Sequence, residues 1–167
     1  MNVTKQLLLG LGSNLGDRKD VLLKSIKEIE LAFKGSAIVS SFYESEPWGF
    51  ESENPFLNCC VSLYCDLSPK EVLKHTQAIE MKLGRVKKSK NGKYESRPID
   101  IDILYYGNHI VADEKLSIPH PLLYHRAFVL KPLSEISPDF QDPLKKQSIR
   151  EIWTTCNDKN SVVLLDE

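Results

Sequence analysis

The alternation of apolar and polar positions divides the chain into four strands with helices between them. Residues 6–12 are a continuous apolar run, the pattern of a strand buried on both faces at the centre of a sheet. Residues 37–45 predict a second strand. Residues 56–65 predict a third with two distinct faces, Leu57, Cys59, Val61, Leu63 and Cys65 on one and Phe56, Asn58, Cys60 and Ser62 on the other. A fourth runs from Arg97 to about Tyr106, with Ile99, Ile101 and Ile103 on one face and Asp100 and Asp102 on the opposite one. Helical spacing links Leu22, Ile26, Ile29 and Phe33, after an N-cap at Asp17 and before a stop at Gly35. It also links Val72, Thr76, Ile79 and Leu83, after the capping box Ser68-Pro69-Lys70-Glu71 and before Gly84. The segment 46–55 is a long loop holding Trp48 and Phe50. Large rings on a loop need a partner, whether core or ligand.

The order is therefore βαββαβ. It predicts an α+β fold with a ferredoxin-like core, an antiparallel sheet with helices on one face, and a C-terminal extension. A doubly wound parallel sheet needs a helix between the second and third strands, and 46–55 is too short for one. In the extension, Gly107-Asn108 predicts a turn into a short hairpin containing Ile110-Val111 and residues 116–118. Pro119-His120-Pro121 is a stiff loop. A short helix is expected from near His125, carrying Arg126 and Phe128. A capping box, Ser148-Ile149-Arg150-Glu151, opens a small helix with Ile149, Ile152, Trp153 and Cys156 inward, and 162–165 reads as a short strand.

Composition narrows the class. A chain of 167 residues suits one domain, 1–167, with a real core and no room for a second. A net charge of -1 gives no basic field for nucleic acid or an anionic membrane. The longest N-terminal apolar run is too short for a signal peptide or a membrane span. Cys59, Cys60, Cys65 and Cys156 contain no C-x-x-C pair, and three lie in one apolar strand, so buried free thiols in a reducing cytoplasm are expected.

The chemistry concentrates at Arg97-Pro98-Ile99-Asp100-Ile101-Asp102-Ile103-Leu104. Same-face residues two apart on a strand lie roughly 6.6–7 Å apart. Two carboxylates at that spacing can converge on hard cations, and burying them bare would be costly. By itself, Asp-x-Asp on an amphipathic strand is more often a wet face over a dry one. The preceding Arg adds a guanidinium for phosphate oxygens beside carboxylates for a metal, which is a phosphoryl-transfer arrangement. Other motifs fail. In Gly10-Leu11-Gly12-Ser13-Asn14-Leu15-Gly16 the third Gly falls one position late for dinucleotide binding, so a packing role fits those glycines better. Gly92-Lys93 is followed by Tyr94, so there is no Walker A sequence, and the four histidines show no zinc spacing.

The ordered motifs resemble one family, 6-hydroxymethyl-7,8-dihydropterin pyrophosphokinase of folate biosynthesis. They are residues 9–16, Phe56-Leu57-Asn58, Glu80 with Gly84-Arg85-Val86, the Asp-x-Asp strand, and Pro119-His120-Pro121 with Arg126-Ala127-Phe128. The resemblance implies transfer of the pyrophosphoryl group of ATP to the pterin's hydroxymethyl oxygen, with release of AMP. It implies that Asp100 and Asp102 hold two Mg²⁺ ions, and that Arg85 and Arg97, with Lys87 and Lys93, neutralise the triphosphate and the charge developing in transfer. Gln77, Glu80, His120 and Arg126 fall in its nucleotide-binding half. Phe56 and Phe128 would sandwich the flat pterin, and Asn58 would read its edge with a donor and an acceptor. Backbone of the Ser45, Pro47, Trp48 and Gly49 stretch would complete that edge. The chain departs from the family pattern at Lys87, Tyr94 and Glu95, in a loop about two residues longer than in compact members. A cytoplasmic monomer acting on small molecules, without nucleic acid or membrane, is expected. The rivals are another Mg²⁺-dependent nucleotidyl or phosphoryl transferase on a ferredoxin-like fold and an RNA-binding module. The latter displays aromatics on its central strands, and residues 7–11 have none.

Overall fold

The computed structural model describes residues 3–84 and 98–165. Strand β1 (Lys5–Ser13) leads into helix α1 (Arg18–Phe33), then β2 (Ile38–Val39), β3 (Tyr43–Ser45), β4 (Phe56–Cys65), α2 (Pro69–Lys82) and β5 (Asp100–Tyr106). A hairpin of β6 (Val111–Ala112) and β7 (Ser117–Ile118) follows, then a 3-10 helix (Leu123–His125), α3 (Ala127–Ile136), α4 (Ile149–Thr154) and β8 (Val162–Leu164). The main sheet has the order β5-β1-β4-β3-β8, with β2 also on β4, and every pairing is antiparallel.

The helix starts follow the local chemistry. The Asp17 carboxylate accepts from the Asp20 amide at the start of α1. Ser68 with Glu71 and Ser148 with Glu151 both close complete capping boxes. Helix α1 ends with Lys34 in the left-handed conformation at φ 53°, one residue before the expected Gly35.

Two apolar layers sandwich the sheet. On one face Leu7, Leu9, Leu11, Val61, Ile101 and Ile103 meet Leu22, Ile29, Val72 and Ile79 from α1 and α2. On the other, Leu8, Cys60 and Leu104 meet Val129, Leu130 and Leu133 of α3 and Ile149 and Ile152 of α4. The expectation of helices on one face is thus incomplete, because the C-terminal helices cover the second face. A strand apolar on both sides, as β1 is, requires that cover.

The predicted strand over 37–45 is broken in two. Ser40 Oγ accepts from the Cys60 amide at 2.9 Å, replacing a backbone acceptor in the ladder. The Ser41 amide turns instead to the Glu135 carboxylate on α3. Cys59, Cys60 and Cys65 are buried free thiols. No helix among the described residues is long and apolar enough to cross a membrane.

Candidate active site

Two cavities meet at β5. The first lies on the α3 face of the sheet, between the ends of the central strands, the loop 46–55 and the start of α3. Its floor exists because β1 carries glycine there. A Cβ on Gly12 would stand 3.2 Å from Asn58 Oδ1 and 3.5 Å from the Phe56 ring, and one on Gly10 would meet Leu104 at 3.4 Å. The walls are Trp48, Phe50, Phe56, Phe128 and Arg126. Phe50 packs edge-on to Phe56 with ring centroids 6.1 Å apart.

Asn58 is 3% exposed. Its Nδ2 donates to the Tyr43 carbonyl at 3.2 Å and to Ser45 Oγ at 2.8 Å. The carbonyl can only accept, so the amide orientation is fixed and both N–H groups are used. What remains for the cavity is Oδ1. The expected donor-and-acceptor pair on Asn58 is corrected to an acceptor alone. Ser45 lines the cavity and orients that amide, whereas Pro47 and Gly49 share the loop but do not line the cavity. Arg18 at the start of α1 fastens both roots of that loop, donating to Glu44 at 2.8 Å and to the Pro55 carbonyl at 3.0 Å.

The second cleft lies between α2, the far side of β5, the connection from β6 to β7, and His120. Gln77 and Glu80 line it together with Thr76, Lys115 and Leu116. Glu80 is 5% exposed, and its carboxylate accepts from the Ile101 amide at 3.4 Å. A helix-flank position in the sequence is thus a contact with the strand that carries both aspartates.

Asp100 and Asp102 line both cavities. Arg126 Nη1 lies 3.6 Å from Asp102 Oδ2, and His120 Nε2 lies 3.8 Å from Asp102 Oδ1. The Arg126 guanidinium also sits 4.6 Å from the centre of the Trp48 ring and 5.6 Å from that of Phe128. It therefore belongs to the wall of the first cavity and not to the second cleft. The Leu122 amide donates to His120 Nδ1 at 3.2 Å, so the neutral ring carries its proton on Nε2, toward Asp102. Burial and the nearby Arg126 charge push the His120 pKa down to about 4, against an opposing pull from Asp100. At neutral pH this imidazole is an uncharged donor.

Among the described residues no group of three or more His, Cys, Asp or Glu side chains could hold a metal ion. Two carboxylates bordering a cleft are a donor set suited to Mg²⁺, which takes one or two protein carboxylates and completes its shell with phosphate and water oxygens. Arg85, Lys87, Lys93 and Arg97, with Tyr94 and Glu95, lie outside the described residues. The sequence reading left out Phe50, Gly12, Thr76, Lys115 and Leu116. Phe50 carried a signal, as a large ring on a loop, while nothing in the pattern brings Lys115 and Leu116 to α2.

The chain is similar to known proteins over most of its length. The family model for 7,8-dihydro-6-hydroxymethylpterin-pyrophosphokinase (HPPK) matches residues 8–138. A 2-amino-4-hydroxy-6-hydroxymethyldihydropteridine pyrophosphokinase of Porphyromonas gingivalis is 47% identical over 131 residues, covering 78% of this chain and 89% of that protein. One of Aquifex aeolicus is 39% identical over 143 residues, covering 86% of this chain and 87% of that protein. The crystal structure of Plasmodium falciparum HPPK-DHPS with SDX-DHP superposes with a TM-score of 0.72 at 16% identity, over 92% of this chain and 44% of that one. That likeness shows the fold, and this chain spans less than half of that longer protein. The chain belongs to the 7,8-dihydro-6-hydroxymethylpterin-pyrophosphokinase family, enzymes that transfer the pyrophosphoryl group of ATP to 6-hydroxymethyl-7,8-dihydropterin in folate biosynthesis.

Proposed function

We propose that the two cavities divide the two substrates, with the transferred phosphates crossing β5 between them. The observation that carries this is the place of Asp100 and Asp102, which border both cavities. The pterin takes the first. Its flat ring lies among Phe56, Phe128 and Trp48, and Asn58 Oδ1 accepts from a ring N–H. Ser45 and Trp48, the residues of the 45–49 stretch that line the cavity, border its edge. ATP takes the second cleft, against Gln77, Glu80 and His120.

Asp100 and Asp102 would hold Mg²⁺, in two ions, which when bound neutralises phosphate oxygens and orients the reacting groups. The chain's own residues do the rest. Arg126 sits on Asp102 and beside the pterin, so its charge lies where the β-phosphate meets the hydroxymethyl oxygen. His120 donates one uncharged hydrogen bond from a rigid loop. Arg85, Arg97, Lys87 and Lys93 supply cationic groups of the kind that offsets triphosphate charge. The reaction asks for positioning and charge stabilisation more than for a strong base.

The strand order fits a ferredoxin-like core with a C-terminal extension of α3, α4 and β8, all in a single domain. A near-neutral charge supports the reading without a nucleic-acid or anionic-membrane partner, and free thiols support a cytoplasmic place. The enzyme is taken as a monomer acting on small molecules.

The test follows nucleotide products by phosphorus NMR with ATP, Mg²⁺ and 6-hydroxymethyl-7,8-dihydropterin. AMP should form only with the pterin present, and Asp100→Ala and Asp102→Ala should both abolish it. Full activity in either variant would remove that carboxylate from the reacting centre.

A further inference from the structure

Helix α3 presents Arg126 and Phe128 to the first cavity, yet its own N-cap residue, Arg126, has no capping side chain. The cap comes from 31 residues further on. Asp158 Oδ2 accepts from the Ala127 amide at 2.9 Å, between the two cavity residues. Its other oxygen accepts from the Asn160 amide at 3.0 Å and turns the chain. The tail then crosses α3, where Lys131 Nζ donates to the Val162 carbonyl at 3.0 Å. It ends as β8, antiparallel to β3, with Val162 opposite Ser45. Ser45 is the residue whose hydroxyl holds the Asn58 amide. The Leu165 amide closes the strap on the Phe42 carbonyl at 2.8 Å.

We infer that the tail 158–165 is a positioning element of the pterin pocket, acting through Asp158 on Arg126 and Phe128 and through β8 on Ser45. It lies outside the segment 8–138 that the family model matches. The physical reason is local. A carboxylate at a helix start satisfies an otherwise unpaired amide and sits at the positive end of the helix. At this position it also fixes the backbone of Arg126, at φ -123° and ψ 98°, from which the guanidinium reaches Asp102. The same short tail thus contacts two walls of one cavity, the α3 wall and the β3 wall.

This rests on the pterin being seated in the first cavity, so the test carries a control for that reading. Steady-state kinetics with both substrates compare Asp158→Ala, Asp158→Asn, Lys131→Met and Phe128→Ala in the full chain. Asp158→Ala should raise the pterin KM roughly fivefold, in keeping with the loss of one cap. The KM for ATP should stay within twofold. Asp158→Asn keeps an acceptor oxygen and should recover most of the pterin KM. Lys131→Met loosens the tail without touching the cap, and should shift the pterin KM in the same direction if Asp158→Ala does not fold. Hydrogen exchange at the Ala127 and Phe128 amides should quicken in Asp158→Ala. A lower Tm with an unchanged pterin KM in both tail variants would make the tail a stabiliser only. Equal rises in both KM values would make its effect global. Both results overturn the inference. If Phe128→Ala leaves the pterin KM unchanged, the pocket reading fails and takes the inference with it. If Phe128→Ala raises it and the tail variants do not, the inference alone fails.

Discussion

Replacing Asn58 by leucine separates the amide's two jobs. Leucine has nearly the same volume and fits the buried position, so packing changes little. The Tyr43 carbonyl and the Ser45 hydroxyl each lose the donor now 3.2 and 2.8 Å away. Depriving a buried polar group of its partner costs about 1–3 kcal/mol. The pair together should destabilise the fold by about 2–6 kcal/mol. At about 2–4 °C per kcal/mol for a domain of this size, the melting temperature should fall by roughly 4–24 °C. Binding suffers separately. A ring N–H that met Asn58 Oδ1 would face a methyl group, at about 1.5–3 kcal/mol, or roughly 10–150-fold in affinity. Calorimetric titration of the pterin in the presence of a non-hydrolysable ATP analogue reads the second effect, and a thermal melt reads the first. ATP affinity should hold within twofold, since Asn58 does not line the second cleft. A melting shift with pterin affinity unchanged within twofold would refute the claim that Oδ1 is a recognition group.

Gly12→Ala should act the other way, on the ligand and not on the fold. Its φ lies outside the left-handed region, but the new methyl stands 3.2 Å from Asn58 Oδ1 on the cavity floor. Pterin affinity should drop roughly tenfold, from about 1–3 kcal/mol of overcrowding felt with the ring seated, while the melt stays within about 3 °C. Arg18→Met cuts the fastening of the loop 46–55 at Glu44 and Pro55. The pair is partly solvated, so the fold should lose no more than about 1 kcal/mol. The pterin KM should rise roughly threefold, and limited proteolysis should nick the loop sooner. Asp142 is fully buried and accepts from the Tyr105 and Tyr124 hydroxyls and the Leu144 and Lys145 amides. Burial pushes its carboxyl up, but those hydrogen bonds outweigh it and hold the pKa below the ordinary value of 3.8. Its stabilisation is therefore complete above that value and is lost as pH falls through the depressed one. Asp142→Asn should flatten the stability profile below pH ~4 in denaturant titrations.

The parts of the molecule legible in the sequence are those set by neighbours along the chain. The faces of β4, the two capping boxes and the outward aspartates of β5 follow from periodicity and local hydrogen bonds. Asn58 stood out because an amide inside an apolar strand needs a partner, and Tyr43 and Ser45 supply two. What stayed hidden depends on groups far apart in sequence. The strand over 37–45 breaks because Ser41 finds Glu135, 94 positions away. Glu80 lies on a helix flank whose pattern does not reveal the Ile101 amide across from it. Asp158 sits in a polar stretch with no periodicity, and its value is set by the bare N-terminus of α3.

The site's place on β5 follows from the sheet's topology. Among the described residues β5 pairs only with β1, so one edge of it carries no strand. A central strand such as β1 is closed on both sides by its neighbours and, along most of its length, on both faces by helices. Two carboxylates sealed there would need their oxygens taken up by hydrogen bonds, as those of Asp142 are, and would have none left for a ligand. An edge strand can be approached over its face from one cavity and past its edge from another. Charged side chains are also what protects an edge from pairing with another chain. Asp100 and Asp102 can therefore meet both requirements. Arg126, reaching Asp102 from the first cavity at 3.6 Å, and His120, reaching it at 3.8 Å from the second cleft, mark the two directions of approach. A reaction that joins a phosphate chain from one side to a hydroxyl from the other needs its charge stabilisation at such a crossing. Under the proposed division of the substrates, β5 is that crossing.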